Sequence, residues 1–367
     1  MFKQYKLKNY KFILVLFVVI LNVIGILLIG SAKPSVQSKQ IIGMAAGLSI
    51  MVILSLIDYN FILKFAWLIY LFMLGTLLLV MFAGDDAGGA QRWFEIGGFR
   101  FQPSELAKIL IILFFAYFFM KHEEKINTPK VLIMSLILAG IPLALILKQP
   151  DLSTTIVTAL IFAALLFVAG LSYKIVVGVL AVSVPSAIIL FTLLIQDKLP
   201  FIKSYQVTRV MAWLYPDDYP ADAYQQQNSI MAIGSGQLWG KGLNNTDATS
   251  VKNGNFIPEP QTDFIFAVAG EELGFIGTVI IIILLLFITI ECILIARKAK
   301  DTAGKMICSG FAALVGFQSL VNIGVASGVL PNTGLPLPFV SYGLTSLLSL
   351  YIGVGLVLNV GLQPKKY

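Results

Sequence analysis

Ten long apolar stretches dominate this chain and constrain what it can fold into. A helix that crosses a bilayer needs about 20 mainly apolar residues. The predicted spans cover residues 11–30, 41–57, 64–83, 104–120, 131–147, 152–170, 175–195, 264–296, 306–330 and 342–361. Charged residues make up only 12% of the 367 residues, whereas soluble domains carry about 25%. The sequence therefore predicts an all-α polytopic membrane protein, with one integral-membrane domain over residues 1–367.

The distribution of basic residues predicts the orientation of these spans. With a cytoplasmic N-terminus, fifteen Lys and Arg residues fall on the cytoplasmic side, mostly in short tails and turns, and ten fall outside. An even number of spans then places both termini in the cytoplasm. The first span has no small-residue cleavage site before Lys33, so we expect it to be retained rather than removed as a signal peptide. The net charge of +7 is thus a topology signal, and we expect no nucleic-acid partner.

Two long outward loops, 84–103 and 196–263, are predicted between these spans. The second joins spans seven and eight and is far longer than a connection requires, which is typical of a functional loop. Few residues are available for metal or triad chemistry. Cys292 and Cys308 lie in or beside apolar runs, and the one histidine, His122, lies in a charged stretch. A disulfide framework, a histidine metal site and a Ser-His-Asp triad are therefore not expected.

Ionisable residues near the membrane collect at the outer ends of the predicted spans. Such groups are costly at membrane depth and indicate function by default. Glu105 and Lys108, at the start of the fourth span, are three residues apart and can pair on one helix face. A helix start with a lysine reaching toward the headgroups is the alternative interpretation. Asp151 follows Pro150, so capping of the next helix is an equally simple role for it.

Arginines in the outward loops are candidates for binding phosphate, because the guanidinium group suits bidentate contacts. Arg92 and Arg100 lie in the first loop and Arg209 in the second. Anchoring at the membrane interface is the alternative for the first two, and an ordinary solvated loop position is the alternative for Arg209.

Asp263 is the strongest candidate for a catalytic group. It lies where the long loop enters an apolar helix, and Pro258 and Pro260 are expected to hold the preceding chain extended. Capping of that helix is the alternative role for Asp263, although Thr262 could cap the helix as well and leave Asp263 free. Low dielectric there would raise the pKa of the carboxyl toward the range of a general base. Residues 336–343, rich in proline, predict a stiff turn at membrane depth before the last span, whose backbone must be satisfied by protein or water.

Five motifs in the same order resemble the SEDS family, whose members include RodA, FtsW and SpoVE. They are RWFEIGGFRFQPSELAKI at 92–109, KQPDLSTT at 148–155, NSIMAIGSGQLWGKG at 228–242, PEPQTDFIFAVAGEELGFIG at 258–277 and LPLPFVSYG at 335–343. The details are most similar to RodA. Two departures occur: Gln261 stands where members often have histidine, and Leu344-Thr345 replace the usual paired glycines.

This resemblance implies a ten-span fold and a peptidoglycan glycosyltransferase that polymerises lipid II at the outer face of the bacterial cytoplasmic membrane, for RodA-like elongation. Asp263 would take the proton from the acceptor 4-hydroxyl during inverting attack on the anomeric carbon. The residues implied to bind substrate are Arg92, Arg100, Glu105, Lys108, Asp151, Arg209 and Glu259. The four cations would hold pyrophosphate, Glu105 would orient Lys108, and Asp151 and Glu259 would orient cations or sugars.

The resemblance also implies partners. These are a single-pass class B penicillin-binding protein that crosslinks the strand, and membrane proteins of the elongasome or divisome. No compact metal-ligand motif requires a cofactor, although a divalent cation beside the pyrophosphate is compatible with the chemistry. Three alternatives stay open at this point: a lipid II flippase, a non-catalytic scaffold that activates a crosslinking partner, and an FtsW- or SpoVE-like role in division or sporulation.

Overall fold

The computed structural model describes residues 9–87, 90–96, 99–195, 204–245, 250, 254 and 256–363. Nine helices in these ranges are long and apolar enough to cross a membrane. They are α1 Phe12–Ala32, α2 Pro34–Leu56, α4 Ala66–Ala83, α5 Pro103–Lys121, α6 Pro129–Lys148, α8 Tyr173–Ile195, α11 Ile265–Arg297, α12 Thr302–Ala326 and α13 Leu344–Leu362. Together with the shorter apolar helix α7, Leu152–Val168, they correspond to the ten predicted spans.

Two helix boundaries differ clearly from the sequence prediction. Helix α2 begins at Pro34 rather than at residue 41, since proline suits a first helical turn even when polar residues follow it. Gln40, in that polar stretch, is fully buried and donates to the Ser341 carbonyl at 3.3 Å. Helix α12 begins at Thr302, where the Asp301 carboxylate accepts from the Gly304 N–H at 2.8 Å. Polar groups that pair inside the bundle therefore extend helices beyond their apolar runs.

The two outward segments are structured rather than simple loops. The first forms a small antiparallel sheet in the order β1 Asp85–Ala87, β2 Ala90–Ile96 and β3 Phe99–Phe101. The second contains α9 Ser204–Leu214 and α10 Pro220–Ser235. The short helix α3, Tyr59–Leu63, and a 3-10 turn at Glu123–Lys125 lie in two other connections. The prediction of an all-α fold thus holds for the membrane part, whereas the first outward segment is a sheet.

The segment between α12 and α13 is not helical, and buried side-chain amides satisfy its backbone. The amide groups donate from Asn322 to Leu335 (2.6 Å), from Gln318 to Pro336 (2.9 Å) and from Asn22 to Phe339 (2.9 Å), each to a carbonyl oxygen. Irregular backbone at membrane depth requires such partners. This segment is the predicted stiff turn, and the amides on α1 and α12 hold it against the bundle.

Gly25 of α1 marks where this segment packs most tightly. A Cβ built on Gly25 would lie 2.7 Å from the Val340 carbonyl oxygen. We therefore expect Gly25→Ala to lower the free energy of unfolding by about 1–3 kcal/mol, because the contacted atom is backbone and cannot rotate away. Thermal unfolding in detergent measures this. Gly75→Ala is the matched control, since nothing lies within 4 Å of its built Cβ; equal losses of Tm in both variants would contradict the prediction.

Candidate active site

The strand β2 and the turn between α6 and α7 meet at one end of the bundle through Arg92. Its Nε donates to the Gln149 carbonyl at 2.8 Å, and its terminal nitrogen donates to the Pro150 carbonyl. Two carbonyls in one turn hold the guanidinium group in place. Arg92 is therefore a positioned cation rather than only a loose interfacial anchor.

Asp151 caps α7, as one of its two sequence interpretations proposed. Its Oδ1 accepts from the Thr154 N–H at 3.1 Å, and its Oδ2 accepts from the Gln102 side-chain amide Nε2 at 3.3 Å. The residue is only 5% exposed. Capping does not remove Asp151 from the site, because it also lines the hollow beside Arg92.

A hollow of about 60 Å³ opens between β2, α7, α9 and the chain after α12. Its lining comprises Arg92, Pro150, Asp151, Leu152, Ser153, Arg209, Val210, Pro331, Asn332 and Thr333. Two of the predicted phosphate-binding arginines, from distant parts of the chain, therefore share one cavity.

Asp263 lies next to this hollow, just before α11. The Asn322 amide donates to its backbone carbonyl at 2.8 Å. A Cβ built on Gly334 would lie 3.1 Å from Asp263 Oδ2, and the preceding residue, Thr333, lines the hollow. Phe264 is the N-cap residue of α11 and makes no side-chain cap bond. Neither Asp263 nor Thr262 thus caps this helix, and the Asp263 carboxylate is not committed to a helix end.

Burial raises the pKa of Asp263 to about 6, and nearby charges modify this value. Arg209 and Arg92 lower it, whereas Asp151 and Glu105 raise it. Desolvation disfavours the ionised carboxylate, and it is the largest of these effects. A carboxyl group with this pKa is ionised at neutral pH yet basic enough to accept a proton.

Glu105 and Lys108 form the predicted ion pair, but they are deeply buried. Lys108 Nζ lies 2.8 Å from Glu105 Oε1 and donates to Gln318 Oε1 at 2.7 Å. The side chain of Lys108 is 1% exposed and that of Glu105 is 5% exposed. This placement differs from the expected direct contact of Lys108 with pyrophosphate, and it excludes the alternative of a lysine reaching the headgroups. Gln318, which sequence reasoning missed, links the pair to Pro336.

Glu259 and Arg100 lie in a second polar group, with Lys33. Lys33 Nζ contacts Glu259 Oε1 at 2.6 Å, and the Gln261 amide donates to the other oxygen. These bonds, with a smaller effect of Arg100, hold the pKa of Glu259 below its ordinary value. Arg100 is exposed, and its carbonyl accepts from Thr345 at 3.0 Å. It does not line the hollow of Arg92 and Arg209.

The chain before Asp263 turns rather than running extended, which corrects the sequence expectation. Glu259 has a φ of 51°, a left-handed conformation that is uncommon outside glycine. The Thr262 N–H and hydroxyl both donate to the Glu259 carbonyl, at 3.2 and 2.8 Å. Lys33 and Gln261 hold Glu259 in a turn that the two prolines alone do not indicate.

A family model described as cell cycle protein, covering FtsW, RodA and SpoVE, matches residues 6–366. This chain belongs to that family. It is 38% identical over 333 residues to the peptidoglycan glycosyltransferase MrdB of Escherichia coli, covering 90% of this chain and 86% of that protein. It is 33% identical over 383 residues to a probable peptidoglycan glycosyltransferase FtsW of a Geobacter species, covering 98% and 99%.

Two solved structures share the fold of this chain. One is a chain from a structure that describes the coordination of polymerization and crosslinking by a peptidoglycan synthase complex. It has 30% identity and a TM-score of 0.77, with 96% of this chain and 97% of that chain covered. The other is the crystal structure of the rod shape determining protein RodA of Thermus thermophilus, with 28% identity, a TM-score of 0.68 and 96% of both chains covered. The family resemblance of the five motifs and the polytopic fold are thereby confirmed.

Proposed function

We propose that this protein is a peptidoglycan glycosyltransferase that polymerises lipid II into glycan strands during cell elongation. The observation that carries the proposal is the placement of Asp263 beside a hollow lined by Arg92 and Arg209. A general base and two cations are the groups that a transfer from a pyrophosphate-linked sugar requires. The names of the relatives support the same reaction class.

In this mechanism Asp263 takes the proton from the acceptor 4-hydroxyl as its oxygen attacks the anomeric carbon of the donor sugar. The bond from that carbon to pyrophosphate breaks, and undecaprenyl pyrophosphate leaves with the electron pair. A pyrophosphate needs no protonating acid to leave, so one carboxylate suffices, unlike the pair used by glycoside hydrolases. The nearby arginines stabilise the charge that develops on the leaving group.

The remaining residues divide into two groups by position. Arg92, Arg209 and Asp151 line the hollow, so the arginines contact pyrophosphate and Asp151 orients them or the sugar. Glu105 and Lys108 are buried. They support the chain after α12 through Gln318, which bonds to both Lys108 and Pro336. Arg100 and Glu259 are exposed and do not line the hollow, so we expect them to meet a part of the substrate other than the pyrophosphate. No cofactor is required in this scheme.

The proposed membrane orientation puts the site on the outer side. The segments that carry Lys33, Arg92, Asp151 and Asp263 lie at one end of the bundle, whereas Lys11 and Glu291 lie 3.9 Å apart at the other end. With both termini in the cytoplasm, the site faces outward, where lipid-linked precursor is polymerised. A class B penicillin-binding protein is the proposed partner, within the elongasome. The similarity of this chain to one from a peptidoglycan synthase complex supports this choice.

Polymerisation of labelled lipid II by the purified protein tests the proposal. We expect glycan strands and released undecaprenyl pyrophosphate, in larger amount when the penicillin-binding partner is co-purified. The flippase alternative is tested in the same preparation after reconstitution into vesicles. Transfer of lipid II across the vesicle membrane without any polymer would contradict the proposed reaction and favour transport.

A further inference from the structure

Helix α11 is broken at Gly274, and this break leaves backbone groups that need new partners. Gly274 has φ 67° and ψ −167°, which no helical residue adopts. In a continuous helix, the N–H groups of Phe275 and Ile276 would donate to the carbonyls of Glu271 and Glu272, four residues earlier. The break separates these pairs inside the bundle, where unsatisfied polar groups are costly.

The seven residues after α10, which we call the hook (residues 236–242), replace each of these lost bonds. The replacement bonds run from Phe275 N to Gln237 O (2.8 Å), from Ile276 N to Leu238 O (3.2 Å), from Lys241 N to Glu271 O (2.9 Å) and from Gly242 N to Glu272 O (3.0 Å). The hook therefore satisfies two donors on one side of the break and two acceptors on the other, and fixes the angle between the two helix pieces.

An ion pair between a partly exposed lysine and a buried glutamate reinforces the hook. Lys241 Nζ lies 2.9 Å from Glu271 Oε1, and the side chain of Glu271 is only 3% exposed. On the next residue, Glu272 Oε1 accepts from the Ser31 hydroxyl, which in turn accepts from the Asn244 N–H at 3.2 Å. The side chains of Glu271 and Glu272, shortly before the break, thus connect it to α1 and to the chain that follows α10.

The piece of α11 held by the hook is the piece that follows Asp263. Residues 265–273 form about two and a half helical turns between the Asp263 carbonyl, fixed by Asn322, and the break. Because a short helix moves as a rigid rod, its orientation at the hook sets the position of Asp263 at its other end. A displacement of about 1 Å at reacting groups can cost ~100-fold in rate.

We propose that Lys241 and Glu271 are positioning residues for glycosyl transfer, which hold the first piece of α11 so that the Asp263 carboxylate stays beside the Arg92 and Arg209 hollow. This inference rests on the proposed function of that site. Neither residue lines the hollow, so both act through the helix rather than by contact with substrate.

The test measures kcat, KM for lipid II, the pH dependence of kcat and Tm for Lys241→Met, Lys241→Arg and Glu271→Gln in the full-length protein. For Lys241→Met and Glu271→Gln we expect kcat to fall about 10- to 100-fold, with KM within about twofold and a shifted pH midpoint. Lys241→Arg keeps the charge and should retain most activity. The double variant should be no worse than either single one, since the two residues form one contact. Lys130→Met removes an exposed lysine as the matched control.

Three outcomes would overturn the positioning role. The first is an unchanged kcat in Lys241→Met, the second is an arginine variant as slow as the methionine variant, and the third is a loss of activity that only follows a loss of folded protein at the assay temperature. Failure of the proposed function itself looks different: wild type and Lys130→Met would then both make no polymer.

Discussion

Replacing Asp263 with asparagine is expected to abolish polymerisation of lipid II while leaving its binding within a few-fold. The amide is nearly the same size as the carboxylate but cannot accept a proton at neutral pH, so the acceptor hydroxyl is not activated. General base catalysis contributes about 10²–10⁴ in rate, which sets the expected loss. The arginines that line the adjacent hollow remain, so pyrophosphate recognition is retained.

Binding and turnover must be measured on the same preparation of this variant. Asp217→Asn provides the control, because Asp217 is an exposed carboxylate in the same outward segment and its removal changes the charge equally. Strand synthesis by Asp263→Asn at near wild-type rate would contradict the assignment of the base. Loss of lipid II binding in parallel with turnover would instead make Asp263 a binding residue.

Replacing Lys108 with methionine is expected to be the most destabilising of these single changes. It leaves Glu105 as a buried carboxylate without its cation, and breaking a buried pair in this way costs about 3–5 kcal/mol. Gln318 also loses a partner, and the chain after α12 loses a support. Thermal unfolding in detergent should therefore show a marked fall in Tm, together with loss of polymerisation.

The double variant Lys108→Met/Glu105→Gln distinguishes this explanation from simple loss of packing. Neutralising both members removes the uncompensated charge, so part of the lost Tm should return. Lys148→Met, at an exposed position near the same end of the bundle, is the control for loss of a positive charge. A Tm of Lys108→Met equal to that of Lys148→Met would show that the buried pair does not stabilise the fold.

Most of the membrane helices could be predicted from the sequence, because the length of an apolar run is a local property of the chain. The two start positions that failed, at Pro34 and Thr302, lie in polar stretches that become helical. Gln40 shows the reason, since its polar side chain is satisfied by a carbonyl more than 300 positions away in the chain. The sequence around Gln40 does not indicate a hydrogen-bond partner so far away in the chain.

The candidate site was predictable residue by residue but not as a geometry. Asp263 stands out in the sequence as a charge at the start of an apolar helix, and Arg92 and Arg209 are only arginines in outward loops. Their common position beside one hollow depends on how α9 and the chain after α12 pack. The burial of Lys108 depends on Gln318 of α12, which nothing near it in the sequence marks. The turn at Glu259 likewise depends on Lys33, from the connection between α1 and α2.

The pH dependence of kcat/KM for lipid II polymerisation reports on the proposed base itself, because Asp263, with a pKa of about 6, is expected to remove the acceptor proton. The base acts only when ionised, so the rate should be constant above neutral pH and fall about tenfold per pH unit below about 6. Arg209 lowers the pKa of Asp263, and Arg209→Gln should therefore move the midpoint to higher pH. A rate that stays constant from pH 8 to below 5 in wild type, or a midpoint that Arg209→Gln leaves in place, would contradict the account.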